Sequence, residues 1–201
     1  MPRFGAIVCD LLTALLDSWT LWGDVAGDEQ EGARWRRKSL ELIYASGTYR
    51  PYDEIVAEAA AAVGVDLELG DRLLSRWDEL EPWPEAPAVL RDLARDHRIA
   101  LVTNTSEALA RRAAARLGVD VDLLLSAEAV GFYKPRPEPY RAALDALGVP
   151  AVFLAGSAGD VPGAEAVGLP VVWHNRIGAP PAGGEPLAVI SSLEPLPGLL
   201  R

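Results

Sequence analysis

The chain has 201 residues, half of them hydrophobic, with 29 acidic against 19 basic side chains and a net charge of −10. That balance argues against nucleic acid or an anionic membrane as a partner, yet a locally positive pocket can still take a small anionic substrate. No apolar run approaches the roughly 18–20 residues of a membrane span; a signal-peptide pattern is absent and Cys9 stands alone, so the cytoplasm is the expected compartment.

The first element is an apolar run, Gly5–Cys9, that ends in Asp10. Such a run reads as a strand buried on both faces of a parallel sheet. An acid at its carboxyl end sits where α/β sheets bind ligands, so Asp10 is a candidate nucleophile or metal ligand. Leu12, two residues on, has no side-chain acid, base or ligand to offer. From Leu15 to Trp83 no convincing strand occurs, and three stretches read as helices: Gly32–Ser46, Tyr52–Val63 and Asp71–Leu80. In the first, Trp35, Leu40 and Ile43 form the apolar side, and the Arg34–Lys38 run reads as a solvated face. Trp19 and Trp22 read either as pocket lining or as packing. Roughly seventy residues is too long for a simple crossover. Residues 15–83 therefore read as a helical insertion over the strand ends, with Glu81–Pro87 as the return linker and 1–14 plus 84–201 as the core domain.

Beyond the linker, helices and strands alternate. The expected helices are Ala86–Asp96, Glu107–Leu117, Pro139–Leu147 and the short Ala164–Val167; Gly118, Gly148 and Gly168 suit their C-caps. The expected strands are Arg98–Thr103, the weaker Val121–Ser126, Ala151–Ala155, Pro170–Trp173 and a sixth at Leu187–Ile190. This order implies βαβ units, a parallel sheet and an α/β fold.

Four strand ends carry polar residues: Asp10; Thr103-Asn104-Thr105-Ser106; Lys134 in a proline-flanked loop; and Ala155-Gly-Ser-Ala-Gly-Asp160. Two acids, a lysine and an anion-attracting helix start fit one pocket. Taken singly each has a plainer reading: Asp10 as a turn residue, Asp160, Thr103 or Ser106 as N-caps, Lys134 as a solvated side chain. No His/Cys cluster has metal-ligand spacing.

In order and spacing these four motifs resemble the haloacid dehalogenase superfamily. Trp35–Tyr44, Gly47–Arg50, Tyr52, Gly131–Pro135 and Trp173–Arg176 are similar to the L-2-haloacid dehalogenases in particular. The resemblance implies a Rossmann-like core with a helical cap inserted after the first strand. It implies Asp10 as nucleophile, Lys134 keeping it ionised, and Asp160 orienting Lys134 or activating water. Leu12, Thr103, Asn104 and Ser157 would contact the substrate, a small 2-halo carboxylic acid, with no metal or other cofactor.

The family's phosphatases usually have an aspartate where Leu12 stands, and an acid among positions 155–157. Leu12 and Ala155-Gly-Ser157 therefore weigh against a Mg²⁺-dependent phosphatase, which stays as the alternative beside a catalytically silent binding protein. The dehalogenases usually have a tyrosine in place of Leu12 and an aromatic near Gly159. They also have an arginine before the first long cap helix, which aligns here with Gly27 or Asp28, leaving Arg34 as the nearest basic substitute. Homodimerisation stays open.

Overall fold

The structure, a computed structural model, describes residues 4–200. Six parallel strands form its main sheet: β1 (Ala6–Asp10), β4 (Arg98–Thr103), β5 (Leu123–Ser126), β6 (Ala151–Ala155), β7 (Val171–His174) and β8 (Ala188–Ile190), in the order β5-β4-β1-β6-β7-β8. β1 is central because its first four residues, Ala6 to Cys9, are apolar on both faces. Ile7 and Cys9 pack into one core cluster and Ala6 and Val8 into the other, all at 0% exposure. A Val or Ile buried this way contributes about 1.5–3 kcal/mol, and apolar residues on both faces explain why the run reads as continuous. The chain leaves β1 for β4 on one side and returns to β6 on the other. Ligands bind at such a reversal, beyond the carboxyl ends of the strands, and Asp10 lies there, in register with Val102.

Helices α5 (Ala86–Leu93), α6 (Glu107–Ala115), α8 (Pro137–Leu147) and α9 (Asp160–Glu165) link these strands, with the short α7 (Ala127–Val130) and α10 (Leu196–Leu200) beside them. Ser106 caps α6 by accepting from the Leu109 amide, as one of the plain readings had it. Helix α9 begins at Asp160 and not at Ala164; Gly159 before it already has helical backbone angles, φ −68° and ψ −22°, so Asp160 is not its N-cap.

Between β1 and α5 the chain forms four helices: α1 (Ser18–Ala26), α2 (Glu29–Ser46), α3 (Tyr52–Val63) and α4 (Glu68–Ser75). Three corrections to the sequence reading arise here. Helix α1 was not expected, although Asp17 caps it and Gly27 ends it at φ 77°. Likewise β2 (Leu16–Asp17) and β3 (Glu81–Pro82) pair antiparallel at the base of the helices; two-residue strands are too short to carry a period. The fourth helix also comes earlier than expected, ending at Ser75 before a 3₁₀ turn at Trp77–Glu79. Among the described residues no helix is long and apolar enough to cross a membrane.

Candidate active site

The turn after β1 folds back over the Asp10 carboxylate. Its Oδ2 accepts from the Thr13 amide at 3.0 Å, the Thr13 hydroxyl at 2.6 Å and the Ala14 amide at 3.2 Å. Its Oδ1 accepts from Lys134 Nζ at 2.7 Å. The same ammonium donates to Asp160 Oδ2 at 3.0 Å. Asp160 is held in turn by the Tyr140 hydroxyl on Oδ1 at 2.8 Å and the Ser157 hydroxyl on Oδ2 at 3.2 Å. Three strand ends thus meet on one lysine, which is 1% exposed and therefore not a solvated side chain.

Lys134 is held there through its backbone. Asn104, just past β4, donates from Nδ2 to the Lys134 carbonyl at 3.0 Å, and its Oδ1 accepts from the Lys134 amide at 2.8 Å. One Nδ2 hydrogen is left over for a ligand. The loop before Lys134 is pinned to the end of α2: the Tyr133 amide donates to the Gly47 carbonyl at 2.8 Å, and the Tyr133 hydroxyl to the Arg50 carbonyl at 2.7 Å.

Burial alone would push the Asp10 carboxyl up, but the Lys134 charge and the bonds from Lys134 and Thr13 outweigh it and hold the group below its ordinary value. Burial pulls Lys134 down, yet the two flanking carboxylates leave it raised and fully charged. Asp160 moves the other way from Asp10: burial, reinforced by the Asp10 charge, leaves it raised. Two carboxylates beside one ammonium thus end with different basicities, the pattern that separates catalytic roles. Cys9 is no second nucleophile, since burial and then the Asp10 charge push its thiol up to about 12.

Above the carboxylate lies a cavity of about 20 Å³, space for the centres of about one or two waters. Asp10, Leu12, Thr13, Asn104 and Ser157 line it from the sheet side, and Arg36, Leu40, Ile43 and Tyr52 from α2 and α3. The hydroxyl of Thr103 is buried without a hydrogen-bond partner, and the residue is not among the lining.

Arg36 is the largest departure from the sequence reading. Positions 36, 40 and 43 fall one helical turn apart, so the arginine shares the stripe of Leu40 and Ile43 and turns inward. It is 2% exposed; its Nε and Nη2 donate to the Ser18 hydroxyl at 3.2 and 3.1 Å, and its guanidinium sits 5.4 Å from the ring centres of both Trp19 and Trp22. Among the described residues it forms no ion pair with a carboxylate. Arg34, the substitute expected from the sequence, instead lies on the outer face, paired with Glu31. The Arg34–Lys38 run is therefore solvated only in part.

Two other apparent gaps in the sequence are filled in space. Tyr44 of α2 lays its ring against Gly159, where a Cβ would stand 2.9 Å from Tyr44 Cε2, so the aromatic expected in that loop arrives from another element. A Cβ on Gly156 would lie 2.2 Å from the Ala14 amide nitrogen, so no side chain, acidic or otherwise, fits at that position. A hard dication takes oxygen ligands, and Mg²⁺ commonly keeps several waters beside one or two carboxylates. Asp10 and Asp160 are the acids at this site, both already engage Lys134, and among the described residues no group of three His, Cys, Asp or Glu side chains converges elsewhere.

Comparison with known proteins gives this geometry a family. A profile described as haloacid dehalogenase-like hydrolase matches residues 17–168. The (S)-2-haloacid dehalogenase 1 of Pseudomonas sp. (strain CBS-3) is 31% identical, with 100% of this chain and 98% of that one covered. A phosphoglycolate phosphatase of Cupriavidus necator is 38% identical over 59% of this chain and 55% of its own length. A dehalogenase crystal structure with an intermediate complex superposes with a TM-score of 0.86 at 28% identity, covering 100% of this chain and 99% of that chain.

Proposed function

Since the chain belongs to the haloacid dehalogenase-like hydrolases, we propose that it hydrolyses a small 2-halo carboxylic acid through an ester on Asp10, with no metal. On this reading the helices of residues 15–83 are a cap that closes over the core of residues 1–14 and 84–201. The single observation that carries the choice of substrate is Arg36. A buried guanidinium without a carboxylate partner is costly, and a halide or carboxylate entering the cavity would offset that cost.

Asp10 Oδ1 carries one hydrogen bond against three on Oδ2, so Oδ1 is the oxygen with a lone pair to spend. It attacks C2, the carbon–halogen bond breaks, and the electron pair leaves with the halide toward Arg36. Water then adds to the Asp10 carboxyl carbon. The carbon–Oδ1 bond breaks, the 2-hydroxy acid leaves carrying Oδ1, and the water oxygen stays in the restored carboxylate. Asp160, raised by burial, takes one proton of the water and passes it to solvent, while the other ends on the departing Oδ1 as the product's hydroxyl. Lys134 keeps Asp10 ionised before the attack, and Asn104 holds Lys134 in place. Both steps are covalent catalysis of the ordinary kind, one hard displacement divided in two.

The phosphatase reading is weaker because Leu12 has no proton to give a leaving alcohol and Gly156 has no room for an acid. A single buried thiol, Cys9, fits a cytoplasmic setting. Halide release from chloroacetate and 2-chloropropionate in EDTA tests the proposal. Turnover that EDTA leaves intact supports it; release of phosphate from a phosphate-ester panel only when Mg²⁺ is added would replace it.

A further inference from the structure

Two buried hydroxyls on α2 and α3 have no hydrogen-bond partner among the described residues. Tyr52 Oη, at the start of α3, belongs to a side chain 1% exposed; Ser39 Oγ, on α2, to one that is 0% exposed. They lie beside each other and beside the Arg36 guanidinium, yet neither reaches hydrogen-bonding geometry. Buried hydroxyls without partners are uncommon and cost stability. Burial raises the Tyr52 phenol, against the opposing pull of Arg36 and Ser39, so it stays protonated and can only gain by donating. Tyr52 also lines the cavity, from α3, whereas Asp10 enters it from the end of β1.

We propose that the Tyr52 hydroxyl is a second donor to the leaving halide, completing with Arg36 an anion seat in the roof. The inference rests on the dehalogenase reading for its chemistry. In a displacement the leaving group departs on the side away from the nucleophile, here away from Asp10 and toward α2 and α3. Negative charge grows on the halogen as the bond to C2 breaks. A donor placed there binds the transition state better than the ground state and acts on kcat more than on KM. Tyr52 is thus a residue that selects among halogens, since a small halide accepts hydrogen bonds more strongly than a large one.

The test is Tyr52→Phe, which removes the hydroxyl alone. Because that hydroxyl is unpartnered, Y52F should melt at or above the wild-type temperature. Halide release should fall roughly three- to tenfold in kcat with KM nearly unchanged, the loss expected for one hydrogen bond. The loss should be largest for the fluoro acid and smallest for the bromo acid. Chloride affinity, read from tryptophan fluorescence beside Arg36, should fall by a similar factor. Weaker chloride binding in Y52F with no turnover by the wild type supports the seat while sinking the dehalogenase reading. Wild-type turnover with Y52F unchanged in kcat, halogen order and chloride affinity overturns the seat and leaves that reading standing.

Discussion

Replacing Lys134 with methionine removes the one ammonium between two buried carboxylates. The lysine side chain is 1% exposed, with Asp10 at 8% and Asp160 at 1%. Solvent therefore cannot take over its role, and removing one partner of a buried ionic group costs about 3–5 kcal/mol. At about 2–4 °C per kcal/mol for a chain of this size, K134M should melt about 6–20 °C below wild type at pH 7. The pH dependence is more diagnostic. Wild-type Asp10 is held below its usual 3.8, so its stabilisation is present above that pH and lost only as pH falls through the lower folded value. Lys134 is raised, so its contribution is complete everywhere below its usual 10.5. Without the lysine both carboxyls are pushed above 3.8, and the two cannot both stay ionised in one dry site. The penalty then grows with pH, so the gap to wild type should narrow between pH 7 and pH 5. Melting curves over that range decide it. A variant within about 2 °C of wild type at both pH values would mean that Lys134 does not neutralise the pair, and the electrostatic argument would fail.

Arg36→Met should abolish halide release while leaving the protein folded, because the guanidinium has no carboxylate partner to strand; turnover near the wild-type rate would remove Arg36 from the site. Arg36→Lys should recover little, since an ammonium cannot reach Ser18 and an anion together with the planar fork of a guanidinium. Gly156→Ala forces a Cβ to 2.2 Å from the Ala14 amide nitrogen, an overpacking worth about 1–3 kcal/mol or more. It should lower the melting temperature and slow turnover together by displacing the turn that holds Asp10 Oδ2. Circular dichroism and halide release on the same sample check both.

The strands were legible because burial on both faces leaves no polar residue to interrupt them: Arg98–Thr103 and Ala151–Ala155 have the bounds expected of them. Asp10, Asn104, Lys134, Ser157 and Asp160 were legible as motifs, and the structure brings them within one small volume. What escaped was whatever depends on which face of a helix a residue occupies. Arg36 sits inside a run of four basic residues, and composition hides it there. Its spacing to Leu40 and Ile43 was the available signal. Tyr44 against Gly159 had no local signal, because a glycine's neighbour across the fold leaves no trace beside it. Helix α1 was concealed by its content, two tryptophans and a glycine in nine residues, although Asp17 and Gly27 marked its ends. Leu12 offers no acid, base or ligand in its side chain, and its place in the cavity wall is a matter of packing that local sequence does not carry.

The central claim is that Asp10 becomes an ester, and a single turnover in ¹⁸O water, with enzyme in excess over chloroacetate, tests it most directly. The account predicts that the heavy oxygen appears in the peptide containing Asp10, because water attacks the carboxyl carbon, and that the first glycolate released carries ordinary oxygen taken from the enzyme. Heavy oxygen in that first glycolate, with Asp10 unlabelled, would mean that water attacks C2 directly, and would contradict it.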